Sequence, residues 1–253
     1  MVSHTVRKMT GRHWLAFFAA ILVAWSLLYM MAVPDELRQF SKIYGAEFWI
    51  ALCTVTPDAA GFGRIFLMWV LMSGAMMAPT ALPAFATYEE LGHNVETTFW
   101  KLVAGYLVVW VGYSFIAAGV QLALFSGGLI SALGDSQSTL LSIALLSLAG
   151  IYQFSPLKEA CLSKCRQPLT FFMQYFDEGP WRNGLRLGLV CLGCCWALML
   201  LAFVGGVMNL AFMALATVIM VLEKMPDIGR YITRPLGVVL LGWAASLVFL
   251  NFF

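Results

Sequence analysis

The chain has 253 residues, of which 61% are apolar and only 11% charged. Soluble domains carry about 25% charged residues, and a surface this apolar would be adhesive in water, so a water-soluble enzyme is excluded. The net charge of +2 gives no basic field for a polyanion, which excludes nucleic acid as a partner and leaves the lipid bilayer as the expected surroundings.

A helix needs about 20 apolar residues to cross the hydrocarbon core. Runs free of Asp, Glu, Lys and Arg cover residues 14–34, 65–88, 102–134, 136–157, 187–222 and 235–253. The fifth run would be about 54 Å long as one helix, too long for one crossing. Gly205-Gly206 and Asn209 mark where it is expected to turn. The reading is therefore an all-α polytopic transmembrane helix bundle of about seven spans, or six if the glycine pair does not turn.

Orientation follows from Lys and Arg in the short loops. With the N-terminus inside, twelve of the fifteen fall on the inside, so N-in and C-out is expected. Residues 1–253 read as one integral membrane domain. Residues 1–34 form an anchor whose apolar stretch is too long for a signal peptide and lacks an Ala-x-Ala-like site. Residues 35–63 form an outside loop, with an amphipathic stretch over 47–53 at the interface. Residues 64–253 form the bundle, with an inside loop over 155–183. In that loop Ser155-Pro156 predicts an N-cap followed by proline at the first helical position. The short helix that follows ends at Pro168, an aromatic stretch over 171–176 lies on the membrane surface, and Asp177-Glu178-Gly179-Pro180 turns the chain into the fifth span.

Five of the six cysteines form two tight groups. Cys161 and Cys165 are four apart on the short loop helix, so their thiols share a face. Cys191, Cys194 and Cys195 lie early in the fifth span, and Met72, Met76 and Met77 are expected at similar depth in the second. Cys53, on the outside without a partner, reads as structural. Thiolates and thioethers are soft ligands that select Cu(I), whereas zinc favours four ligands, usually Cys and His, and fits less well. Filler is the competing reading for the methionines, since Met commonly packs apolar interiors; it is a poor explanation for cysteines in a polar loop. Glu223, beside Lys224 at the inner end of the sixth span, reads as a boundary residue, with an oxygen ligand or gate as the alternative. The histidines, His4, His13 and His93, lie at or beyond span ends, which excludes an intramembrane bis-His haem. No zinc-protease, covalent-haem or phosphate-loop motif is present, and no catalytic constellation stands out.

Three blocks carry a resemblance. They are Met72-Ser-Gly-Ala-Met76-Met77; the segment from Tyr152-Gln153 through Ser155-Pro156, Cys161 and Cys165 to Pro168-Leu169; and Leu192-Gly193-Cys194-Cys195-Trp196-Ala197-Leu198-Met199, continuing to Glu223-Lys224. Together they resemble the bacterial family described as predicted metal-binding integral membrane proteins (domain of unknown function 2182). The resemblance implies a multi-helix protein of the bacterial cytoplasmic (inner) membrane with a metal site, copper being the metal expected, and brings Met199 into the candidate set. One departure is that Ala78 precedes Pro79 where the family commonly has leucine, and a second proline follows at Pro83. The leading expectation is a membrane protein that holds or delivers Cu(I) on Cys161, Cys165, Cys191, Cys194 and Cys195, with Met72, Met76 and Met77 as exchange partners. It would support a membrane copper enzyme. The alternatives are a non-catalytic accessory subunit among other membrane subunits, its cysteines serving packing, and a membrane oxidoreductase using the Cys161/Cys165 pair.

Overall fold

The computed structural model describes residues 11–32, 55–56, 58–92 and 96–252. Cys53, the 47–53 stretch and most of the expected outside loop fall outside the described residues. The described chain is helical: α1 (Arg12–Met31), α2 (Ala59–Thr80), α3 (Leu82–Leu91), α4 (Glu96–Ser126), α5 (Thr139–Tyr152), α6 (Pro156–Arg166), α7 (Pro168–Tyr175), α8 (Pro180–Leu200), α9 (Ala202–Gly205), α10 (Leu210–Lys224) and α11 (Gly229–Phe252).

Among the described residues five helices are long and apolar enough to cross a membrane: α1, α2, α4, α8 continued by α9, and α11. A sixth crossing is available if α5 and α6, bent by 62° at the break between them, form one span. Large apolar side chains such as Leu15, Phe115, Ile116, Val239 and Phe249 point outward from these helices, as a lipid bilayer requires. The glycine pair does turn: Gly206 has φ +90° and Asn209 caps α10 by accepting from the Phe212 backbone N–H at 3.1 Å. The resulting α10 has 15 residues and α5 has 14, each about 22 Å against the ~30 Å hydrocarbon core. A seventh crossing therefore depends on these two short helices.

Local chemistry explains most helix ends. Asp58 caps α2 by accepting from Gly61 N–H at 3.1 Å; the Thr56 hydroxyl, with Arg64 nearby, holds its carboxyl below the ordinary carboxylate range. Ser155 Oγ accepts from Lys158 N–H at 3.1 Å to open α6, with Pro156 at its first position. Pro79 sits inside α2, which continues to Thr80, and after Ala81 α3 begins at Leu82 with Pro83 in its first turn. On α7, Phe171 and Phe172 are buried while Leu169 and Met173 are exposed.

The register of α2 against α4 is fixed by buried polar contacts at one-turn steps along α2. Trp69 Nε1 donates to Gln121 Oε1 at 2.6 Å, Ser73 Oγ lies 3.1 Å from Ser114 Oγ, and Tyr106 OH donates to the Met77 carbonyl at 3.0 Å. The two helices are thus antiparallel. Helix α8 packs most closely against α4, and glycine makes this possible. A Cβ on Gly184 would stand 2.2 Å from the Leu102 carbonyl oxygen, and one on Gly105 would stand 2.5 Å from that of Trp181. One end of the bundle gathers α3, α6, α7 and the start of α1, where His13 Nε2 lies 2.6 Å from Glu89 Oε1. The opposite end gathers the 127–137 loop and α9, joined by Ser136 N–H donating to the Phe203 carbonyl at 3.0 Å.

Since small residues let membrane helices associate through backbone proximity, Gly184→Ile is expected to destabilise the fold by roughly 1–3 kcal/mol through overpacking. Gly74→Ala, with no atom within 4 Å of its added Cβ, is expected to be neutral or slightly stabilising. Denaturant unfolding in detergent micelles compares the two.

Candidate metal centre

Helix α8 supplies the centre. Beyond Gly188, whose absent side chain leaves room for Val109 and the Tyr106 carbonyl of α4, come Cys191, Cys194 and Cys195, each only 1% exposed. Their sulfurs lie within 4.8 Å of one another. Cys194 Sγ donates to the Cys191 carbonyl at 3.1 Å and lies 3.3 Å from Cys195 Sγ. That distance is well beyond a ~2.05 Å disulfide bond, and the thiols are free. A trigonal ion with metal–sulfur bonds near the ~2.3 Å of zinc thiolates would set its sulfurs about 4 Å apart, which this cluster can match with small side-chain shifts.

Neighbouring helices surround Cys191 with polar groups. Lys224 Nζ, from the end of α10, donates to Cys191 Sγ at 2.9 Å and to Thr80 Oγ1 at 2.6 Å. Tyr106 OH lies 3.0 Å from the same sulfur. Thr80 in turn donates to the Met77 carbonyl at 2.8 Å. Helices α2, α4 and α10 thus each bring a buried group to this sulfur of α8.

Helix α6 closes the α3/α6/α7 end. Lys158 Nζ donates to Glu223 Oε2 at 2.9 Å, with both side chains 1% exposed. Arg166 donates through Nε to the Glu223 carbonyl at 2.9 Å and through Nη2 to Thr233 Oγ1 at 3.2 Å. These contacts seat α6 on α10 and α11 and carry its two half-buried cysteines to α8. Cys165 interacts with the Cys194 thiol. Cys161 packs on Gly193, where an added Cβ would stand 2.6 Å from its sulfur. The two cysteine groups therefore come together.

Met72, Met76 and Met199 line a crevice together with Met213, Leu198 and Phe212. Met199 lies one turn beyond Cys195 on α8, so the crevice adjoins the thiol cluster on its α9 side. Met77 is fully buried, and its carbonyl is the acceptor for Tyr106 and Thr80. Glu223 is committed to Lys158 by one oxygen, while Oε1 is buried without a hydrogen bond. Glu223 and Lys224 do not neutralise each other: adjacent helix positions point about 100° apart, and each meets a different partner. Sequence reasoning took Lys224 for a boundary marker and overlooked Tyr106 and Thr80. The available signal for Thr80 was its place directly after the Met76-Met77-Ala78-Pro79 block; Tyr106, inside a long apolar run, gave none.

Apolar helices long enough to cross a membrane thus enclose a buried set of free thiols, a donor set of the kind soft cations favour. Residues 66–247 match the family described as PpoB2, copper chaperone, and the chain belongs to that family. The match covers every candidate site residue from Met72 to Glu223 and is consistent with copper at the thiol cluster. No curated protein matches the chain, and no solved structure does.

Removing one member of a buried ion pair strands the other charge at a cost of roughly 3–5 kcal/mol. Lys158→Met is expected to destabilise by that order and to loosen α6, raising the reactivity of Cys165 toward an alkylating reagent. The double variant K158M/E223Q is expected to recover most of the loss in denaturant unfolding.

Proposed function

We propose that the protein is a multi-pass chaperone of the bacterial inner membrane, N-terminus inside, that takes Cu(I) as cargo at Cys191, Cys194 and Cys195 and passes it to a membrane copper enzyme during that enzyme's assembly. The observation that carries this reading is the burial of three free thiols within 4.8 Å of one another in a chain of the copper chaperone family. Cu(I) tolerates two or three soft ligands and needs no closed tetrahedral shell. Family and donor set thus point to the same ion.

Charge favours a two-coordinate resting site. Two thiolates, one Cu(I) and the Lys224 ammonium sum to zero, which matters where an uncompensated charge is costly. The third thiol then serves as the incoming ligand when the ion moves. Cys165 and Cys161, half-buried on α6, provide the exchange partners on the more accessible side. Glu223 acts here by holding α6 through Lys158 rather than as a ligand.

Copper content measured by mass spectrometry after Cu(I) loading, with a bathocuproine competitor to report affinity, tests the reading. The triple variant C191S/C194S/C195S is expected to lose the tightly held copper; equal retention by the variant overturns the proposal. A hydrogen bond to a charged group contributes about 1.5–3 kcal/mol, and 1.4 kcal/mol is tenfold in affinity. Lys224→Met is therefore expected to weaken Cu(I) binding about tenfold or more, and an unchanged affinity removes Lys224 from the charge balance.

A further inference from the structure

The sulfurs of the bundle do not end at the thiol cluster. Cys191, Cys195 and Met199 follow one another at four-residue steps on one face of α8, all at most 2% exposed. Each step advances about 6 Å along the helix. Where this row reaches Met199, α2 contributes Met72 and Met76, one turn apart, and α10 contributes Met213. Four thioethers from three helices thus supply half of the lining of one crevice, in a chain with 14 methionines among 253 residues. The rest of the lining is alanine, leucine and phenylalanine, so no polar group competes with the sulfurs for an ion. The four methionines are buried, each at most 3% exposed, so an ion held between them would be shielded from water.

We infer that the crevice between α2, α8 and α10 is a second Cu(I) site, built from the thioethers of Met72, Met76, Met199 and Met213, which receives the ion from Cys195 on its way toward the α9 end of the bundle. The inference rests on the copper reading above for the identity of the ion and adds a location, a ligand class and a direction. Thioethers are neutral and soft. They hold Cu(I) without adding negative charge to the interior, and more weakly than thiolates, which suits a position that must release its ion. Transfer between the sites exchanges one Cu–S bond for another at constant Cu(I) oxidation state, so it requires no oxidant or reductant.

The test measures Cu(I) uptake by the purified full-length protein and by M72L/M76L/M199L/M213L, a variant that preserves side-chain volume and apolar character. The wild type is expected to take up about one equivalent more than the variant, with the tight thiol-held equivalent present in both. Selenomethionyl wild-type protein provides a readout independent of any substitution: selenium-edge absorption spectroscopy is expected to show Se–Cu scattering as the additional equivalent binds. Identical uptake by wild type and variant, or no Se–Cu scattering at full loading, overturns the inference. The two readings fail differently. Copper lost in C191S/C194S/C195S but unchanged in the leucine variant sinks only the thioether site. Copper fully retained in the cysteine variant, with Se–Cu scattering present, sinks only the thiol reading.

Discussion

Where Gly184 faces the Leu102 carbonyl and Gly105 faces that of Trp181, no side chain separates α8 from α4. Lipid tails are as apolar as leucine, so helices in a bilayer gain little by hiding apolar surface from one another, and close backbone packing has to hold them. This contact sets where α8 lies, about two turns before its first cysteine. The Tyr106 hydroxyl then falls beside Cys191 while also tying α4 to the α2 carbonyl at Met77. Separating α4 from α8 would therefore disturb the polar shell of the cluster as well as the helix interface.

A second constraint is the cost of charge in a dry interior. The cations of α6 meet it conventionally, Lys158 on the Glu223 carboxylate and Arg166 on the Glu223 carbonyl, Thr233 and Glu159. Lys224 is different: its hydrogen bonds run to Thr80 Oγ1 and Cys191 Sγ, and among the described residues no carboxylate pairs with it. A buried ammonium aimed at a sulfur cluster is unfavourable as a purely structural device. It becomes reasonable if the cluster carries anionic ligands for a cation that comes and goes.

Much of the local architecture is legible in the sequence because short-range rules govern it. Ser155-Pro156 opens α6, Gly206 and Asn209 turn the chain into α10, and charge-free runs mark the helices that fit a bilayer. The grouping of Cys161 and Cys165 with the α8 cysteines also follows from bundle topology, since α6 lies at the end from which α8 starts. What escaped was tertiary register. Depth along neighbouring spans suggested that Met72 and Met76 lie level with the cysteines. The Trp69–Gln121, Ser73–Ser114 and Tyr106–Met77 contacts fix α2 so that its end, at Thr80, meets Cys191; since α2 runs antiparallel to α8, one turn back brings Met76 to the level of Cys195 and a second brings Met72 to that of Met199. The Lys158–Glu223 pair joins residues 65 apart in sequence, with no pattern to announce it.

Glu223 and Lys224 give the arrangement its coupling. They are consecutive on α10, yet the first binds α6 through Lys158 and the second reaches Cys191 on α8. The helix that carries the accessible thiols and the cluster that buries the inaccessible ones are therefore referenced to the same turn of backbone. The charge beside Cys191 and the seating of α6 thus depend on adjacent side chains, so a change at one is felt at the other without any long-range pathway. Storage alone would be served by a sealed cluster. Graded accessibility, from half-buried thiols on α6 to buried thiols on α8, fits the proposed hand-over of an ion.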